Sequence, residues 1–154
     1  MSKLRQGFFK SRKVETSEGK PALQVAALCT RVKDDQSQVL LVTSRRTGRW
    51  VIPKGWRMYE LSDSDAAAQE AWEEAGIADA KIGKKPIGQY SYEKLLNSGG
   101  SVPVKVDVYH LKVLECQKTF PESKQRTRKW VSPKDAANMV REPDLKKILI
   151  AMSK

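Results

Sequence analysis

Glu70, Glu73 and Glu74 stand in the run Gln69-Glu70-Ala71-Trp72-Glu73-Glu74-Ala75-Gly76-Ile77. Spaced i, i+3 and i+4, they share one face of a helix, within an arc of about 100°. Carboxylates that close repel one another, by roughly 0.2–0.5 kcal/mol per helical pair. Folding does not ask for such a cluster. Holding a hard divalent cation does, because such an ion takes oxygen ligands and often meets phosphate as the remaining ligand. Five cations, Arg45, Arg46, Arg49, Lys54 and Arg57, precede the glutamates in sequence. Their charge suits the phosphates of a polyanionic substrate, and arginine can hold them bidentately. Taken singly, each is also an ordinary solvated side chain.

The elements that must position these groups are legible in the pattern. The spacing predicts a helix over 63–75, rich in alanine, with Ser62 and Asp65 as a capping box and Gly76 just past its end. Its alanines are small enough to let it lie close on whatever it packs against. Ahead of it, 23–31 alternates as a strand, 34–37 reads as a turn and 39–43 as a short apolar strand. Trp50-Val51-Ile52 reads as another strand, ended by Pro53, with Lys54-Gly55-Trp56 opening a loop. After the helix, 81–95 reads as strand and Asn97-Ser98-Gly99-Gly100 as a turn. Residues 102–116 read as the longest strand, and 85–95 with 102–115 as a hairpin. The remainder reads as a loop at 121–125, a strand at 126–131, a helix begun by Ser132-Pro133 and a last helix at 143–152 with Leu145, Ile148, Leu149 and Met152 on one side. This order implies an α/β domain: a mixed sheet with packed helices.

Composition narrows the class. The 154 residues fit one domain with room for a core. Apolar content of 40% and charged content of 31% describe a soluble globular protein, and no apolar run approaches a membrane span. Residues 1–20 are basic without an apolar h-region, so they read as a flexible basic arm rather than a secretory signal; 21–154 is the folded domain. Cys29 and Cys116 match no metal spacing and read as two reduced, buried thiols in a reducing compartment, the cytoplasm. The formal charge is +11. A basic chain with a local acidic cluster suits a polyanion bridged to protein by metal; nucleic acid is the rival explanation.

The stretch from Gly55 to Ile77 resembles the Nudix box, Gx5Ex7REUxEExGU. Gly55 and Gly76 lie 21 positions apart as that pattern requires, and Glu70, Glu73, Glu74, Gly76 and Ile77 match it. The first glutamate of the pattern is Leu61 here, the arginine is Gln69, and Ala71 fills the aliphatic position. Losing the arginine and the glutamate together reads as loss of an ion pair, with the metal carboxylates kept. Ser44-Arg45, the run Trp50–Trp56, and Glu122, Arg126, Arg128 and Trp130 before Pro133 resemble the branch that hydrolyses diphosphoinositol polyphosphates and diadenosine polyphosphates. The likeness covers 23–150.

The resemblance implies the Nudix α-β-α sandwich, Mg²⁺ or Mn²⁺ as cofactor, and hydrolysis of a diphosphate linkage. Metal would neutralise the diphosphate and lower the pKa of the attacking water. It also implies Glu70, Glu73, Glu74 and the Gly55 carbonyl as metal ligands. The general base is Glu70 in one version and Glu122, from the later loop, in the other; for Glu122 a solvated loop glutamate is the alternative. Lys94 and Arg128 are weaker substrate candidates. Trp56 follows the metal loop and is a candidate for exposure near substrate, whereas Trp50, Trp72, Tyr92 and Trp130 read as core and His110 as a structural histidine. Two other functions stay open: removal of pyrophosphate from the 5′ end of RNA, which the +11 charge and the arm at Lys3, Arg5, Lys10, Arg12 and Lys13 would suit, and a catalytically weakened domain that binds a nucleotide or RNA as a sensor, which Leu61 and Gln69 motivate. The oligomeric state is not legible.

Overall fold

A computed structural model describes residues 21–153; the basic arm at 1–20 lies outside them. The elements, in chain order, are β1 (Ala22–Lys33), β2 (Gln36–Thr43), β3 (Trp50–Val51), β4 (Lys54–Trp56), α1 (Asp63–Ala75), β5 (Ile77–Ile82), β6 (Gly88–Leu95), β7 (Ser101–Cys116), β8 (Arg128–Val131), α2 (Pro133–Met139) and α3 (Pro143–Met152). Eight strands form one mixed sheet. Its spine is the parallel pair β1–β7, in register from Ala22↔Val104 to Thr30↔Lys112. Every other pairing is antiparallel: β2 and β4 on β1, β3 and β8 on β2, and β5 and β6 on β7.

Two-residue periodicity divides the core. Val25, Ala27 and Cys29 of β1 face the cluster that holds α1's alanines and Trp72. Ala22, Ala26 and Leu28 face the cluster that holds Leu145 and Leu149 of α3 with Ala136 and Ala137 of α2. Successive strand residues point to opposite faces, so α1 covers one side of the sheet and α2 with α3 the other. This is a mixed sheet between helices, as the sequence pattern implies.

Local expectations hold where a cap or turn dictates them. Ser62 Oγ accepts the Asp65 amide at 3.2 Å at the start of α1, and Ser132 Oγ accepts that of Asp135 at 3.1 Å at the start of α2. Gly76 ends α1 at φ 75°. A side chain there would also strike the Gln117 carbonyl and the Phe120 ring, so glycine is required twice over.

Several expectations need correction. The turn expected at 34–37 is confined to Asp34-Asp35, both at positive φ, with Gln36 and Ser37 already in β2. Lys54-Gly55-Trp56 is a strand rather than a loop, because its backbone pairs with Gln24–Ala26 of β1. The single strand expected over 81–95 is two: β5 starts at once after Gly76, and β6 begins at Gly88. The half of β7 nearer Cys116 therefore pairs with β5, and the expected hairpin is confined to Gly88–Leu95 against Ser101–Val108. The strand expected at 126–131 starts only at Arg128, since the Thr43 carbonyl next in the β2 ladder accepts from the Arg126 side chain and the Thr127 amide turns to Thr43 Oγ1. Of the two thiols, Cys29 is buried and Cys116 exposed; both are free.

Candidate active site

The site forms where α1 meets the edge of β4. Alanines at 66, 67, 68, 71 and 75, all but fully buried, remove the side-chain bulk that would keep a helix off a sheet. α1 packs on β1, β4 and β5, and its acidic face comes down on the Lys54-Gly55 backbone. The Lys54 amide donates to Glu74 Oε1 at 3.4 Å. The Glu70 carboxylate lies directly over Gly55, where a Cβ would overlap both of its oxygens. Glycine at 55 is thus a steric condition for Glu70 to reach the β4 backbone.

Burial and mutual repulsion make these carboxylates hard to ionise. Glu74 is 5% exposed. Burial pushes its carboxyl up to about 7, against the opposing charges of Arg126 and the Lys54 ammonium. Glu70 is raised well above the usual carboxylate range, first by burial and then by Glu74 and Glu73. Glu73 is raised by burial, partly offset by the hydrogen bond it accepts from Gln69 Nε2 at 3.0 Å. Among the described residues, no three His, Cys, Asp or Glu side chains stand gathered as a ready-made cage: Glu70 and Glu74 are in contact, while Glu73 turns toward Gln69. The donor set nevertheless fits a hard cation. Two desolvated, mutually repelling carboxylates beside a glycine backbone are what such an ion would stabilise.

Glu122 joins the group from the loop before β8. Its amide donates to the Glu73 carbonyl at 2.9 Å. Its Oε1 accepts from Arg126 Nε at 3.1 Å and lies 3.0 Å from Arg126 Nη2. Arg126 Nη1 stands 3.5 Å from Glu74 Oε1. Sequence reasoning noted Arg126 only as part of a resemblance and did not place it in the site. No local periodicity marks a loop arginine that reaches a helix more than fifty residues away.

The five cations ahead of α1 divide. Arg45 is exposed beside the site, 3.6 Å from Glu122 and donating to Gln125 Oε1 at 3.2 Å. Arg46 donates to the Leu95 carbonyl at 3.2 Å, beside the β6–β7 turn. Arg49 is tied to Glu142, the residue before α3, at 2.7 Å. Arg57 is tied to Asp63 at the start of α1 at 2.9 Å. Lys54 lies over the Tyr92 ring at 5.0 Å, and burial lowers its pKa against the pull of Glu74.

The weaker candidates separate too. Lys94 sits 6.0 Å from the centre of the half-buried Trp56 ring. Arg128 donates to the Ala75 carbonyl at 2.6 Å and so holds the end of α1. Trp72 is buried, Trp50 and Trp130 pack against the two cores, and Tyr92 donates to Gln24 Oε1 at 2.6 Å. His110 Nε2 meets Thr30 Oγ1 at 2.7 Å, on the structural side of the ledger.

Known proteins resemble this chain in sequence and fold. The sequence matches the NUDIX domain over residues 22–151. It is 32% identical over 116 residues to Nudix hydrolase 16, mitochondrial, of Arabidopsis thaliana, covering 73% of this chain and 63% of that protein. It is 28% identical over 119 residues to human diphosphoinositol polyphosphate phosphohydrolase 3-alpha, covering 76% and 68%. The crystal structure of the Caenorhabditis elegans Ap4A hydrolase superposes with a TM-score of 0.63 at 18% identity, covering 87% of this chain and 97% of that one; at that identity the likeness concerns the fold. The chain spans between about half and two thirds of the plant relatives it matches, 52% in the case of Nudix hydrolase 12, mitochondrial. Fold, box spacing and sequence match together place this chain in the Nudix family.

Proposed function

We propose that the chain is a metal-dependent phosphoanhydride hydrolase that cuts a diphosphate linkage in diadenosine polyphosphates or diphosphoinositol polyphosphates. One observation carries this reading: the half-buried Glu70 and the buried Glu74 carboxylates lie against each other over the Gly55 backbone, at an energetic cost that folding alone does not repay. The names of the human and nematode relatives supply the substrate class.

Glu70, Glu74 and the Gly55 backbone would hold Mg²⁺ or Mn²⁺, with Glu73 swinging in from Gln69. Bound there, the ion would neutralise the diphosphate and lower the pKa of the attacking water. The protein's own groups do the rest. Arg45 and Lys54 border the site and meet phosphates not held by metal. Glu122, kept charged-paired by Arg126, stands where it can take a proton from water; Glu70 is the other candidate for that role. Burial on the α1 side excludes bulk water and strengthens each of these electrostatic contacts.

Incubation with Mg²⁺ and a panel of diadenosine polyphosphates, diphosphoinositol polyphosphates, ADP-ribose and 5′-triphosphate RNA tests this. Release of product from the first two classes, abolished in Glu74→Gln, is the expected result. Tight binding without turnover of any member would replace the enzyme with a nucleotide sensor. Turnover of RNA alone, falling steeply with salt, would give the RNA reading instead.

A further inference from the structure

We infer that Arg126 is the positioning residue of the metal site, replacing from outside the box the ion pair that Leu61 and Gln69 cannot form. The inference rests on the reading of the α1 carboxylates as metal ligands. α1 contains no basic residue. Leu61 is buried in the apolar cluster beneath it, and Gln69 spends a donor on Glu73. The helix thus offers Glu74 no cation, and Arg57, in the loop that leads to it, is committed to Asp63. From β4, Lys54 adds its backbone amide at 3.4 Å and a weaker electrostatic pull than that of Arg126.

Arg126 can orient Glu74 by charge, and its own place is fixed. Its side chain is 8% exposed. Nη1 donates to the Thr43 carbonyl at 2.9 Å, at the end of β2. The neighbouring backbone is clamped there as well: the Thr43 amide donates to the Thr127 carbonyl, and the Thr127 amide to Thr43 Oγ1, each at 2.9 Å. From this anchor Nε and Nη2 both engage Glu122 Oε1, and Nη1 faces Glu74 Oε1 at 3.5 Å. One planar guanidinium thus links β2, the loop carrying Glu122 and α1.

The distances assign the role. Toward Glu122, Nε makes a charge-assisted hydrogen bond at 3.1 Å and Nη2 an ion-pair contact at 3.0 Å. The approach to Glu74, at 3.5 Å, is an ion pair too long for a strong hydrogen bond. Glu74 is aimed and partly neutralised, yet its oxygen is left available to a cation. A lysine would deliver the charge as a point on a flexible stem and could not bridge both carboxylates with fixed geometry.

The test uses the full chain and Mn²⁺ alone, titrated calorimetrically, followed by steady-state hydrolysis of a diadenosine polyphosphate. Wild type should bind Mn²⁺ and Glu74→Gln should not; failure of that control sinks the metal-site reading itself. Arg126→Ala should then weaken Mn²⁺ binding by about 10–100-fold, the range for groups that orient metal ligands, and lower kcat with KM little changed. Arg126→Lys, which keeps a buried cation and so reports even where the alanine variant unfolds, should recover only part of both. Wild-type Mn²⁺ affinity in either variant, with the loss confined to KM, would overturn the proposal and make Arg126 a substrate contact.

Discussion

Helices α1 and α3 cover opposite faces of one sheet and are held by different physics. α3 is placed by burial of Leu145 and Leu149, both fully enclosed, with Ile148 and Met152 packed alongside. Each buried leucine is worth roughly 1.5–3 kcal/mol, and the charges around the helix are paired or exposed: the buried Glu142 at its cap is tied to Arg49, Lys146 to the Ala137 carbonyl, and Asp144 and Lys147 are exposed. α1 is placed by small residues and buries Ser64, Gln69 and Glu74 among its alanines. One helix maximises stability. The other gives some up so that carboxylates can be held away from water at a fixed height above Gly55. What separates Glu74 from the equally buried Glu142 is its company: Glu142 is paired with Arg49, whereas Glu74 lies against a second carboxylate, Glu70.

Leu149→Ala should separate the two most sharply. It should cost about 2–5 kcal/mol of stability and leave turnover of the folded enzyme unchanged, as denaturant unfolding and steady-state kinetics on one preparation would reveal. Glu74→Gln should do the reverse: turnover abolished, with thermal stability in EDTA equal to wild type or higher, because an isosteric amide ends the burial of charge. Gly55→Ala is the finer probe. The added methyl meets only the end of a flexible side chain, so Glu70 should swing aside, the melting temperature should move little, and Mg²⁺ dependence should shift to higher concentration.

Proton linkage sharpens the contrast further. The Glu74 carboxyl, at about 7 in the folded state, lies above its unfolded value. The folded chain therefore binds the extra proton between those two pKa values, and stability falls as pH rises through that window. In EDTA the melting temperature should drop from pH 5 to pH 8, by less in Glu74→Gln; saturating Mg²⁺ should recover most of the loss at pH 8. The smallest effect belongs to the rim. Arg57→Ala breaks a part-exposed pair with Asp63 at 2.9 Å and should cost under about 1 kcal/mol, diminishing in salt.

What the sequence disclosed follows the same division. The ends of α1 were legible because Ser62, Asp65 and Gly76 act locally, and α3 because its apolar period is clean. The α1–β4 contact was half legible: the spacing from Gly55 to Glu74 was visible, but not that Lys54–Trp56 pairs with β1, since three residues after a proline carry no strand period. β5 was hidden because it follows Gly76 without a turn of its own. The parallel β1–β7 pair and the reach of Arg126 are long-range facts, decided by topology rather than by any window of residues. That Arg49 and Arg57 are tied to Glu142 and Asp63 is equally invisible in a run of basic residues.

The most direct test of the central claim, that the buried α1 carboxylates hold a divalent cation, is the electron paramagnetic resonance signal of free Mn²⁺ titrated with protein at pH 7.5. Wild type should quench the free signal with a saturable one-to-one or two-to-one stoichiometry, and Glu70→Gln and Glu74→Gln should each restore it. A free-ion signal indifferent to the protein, or quenching equally strong in both variants, would contradict it.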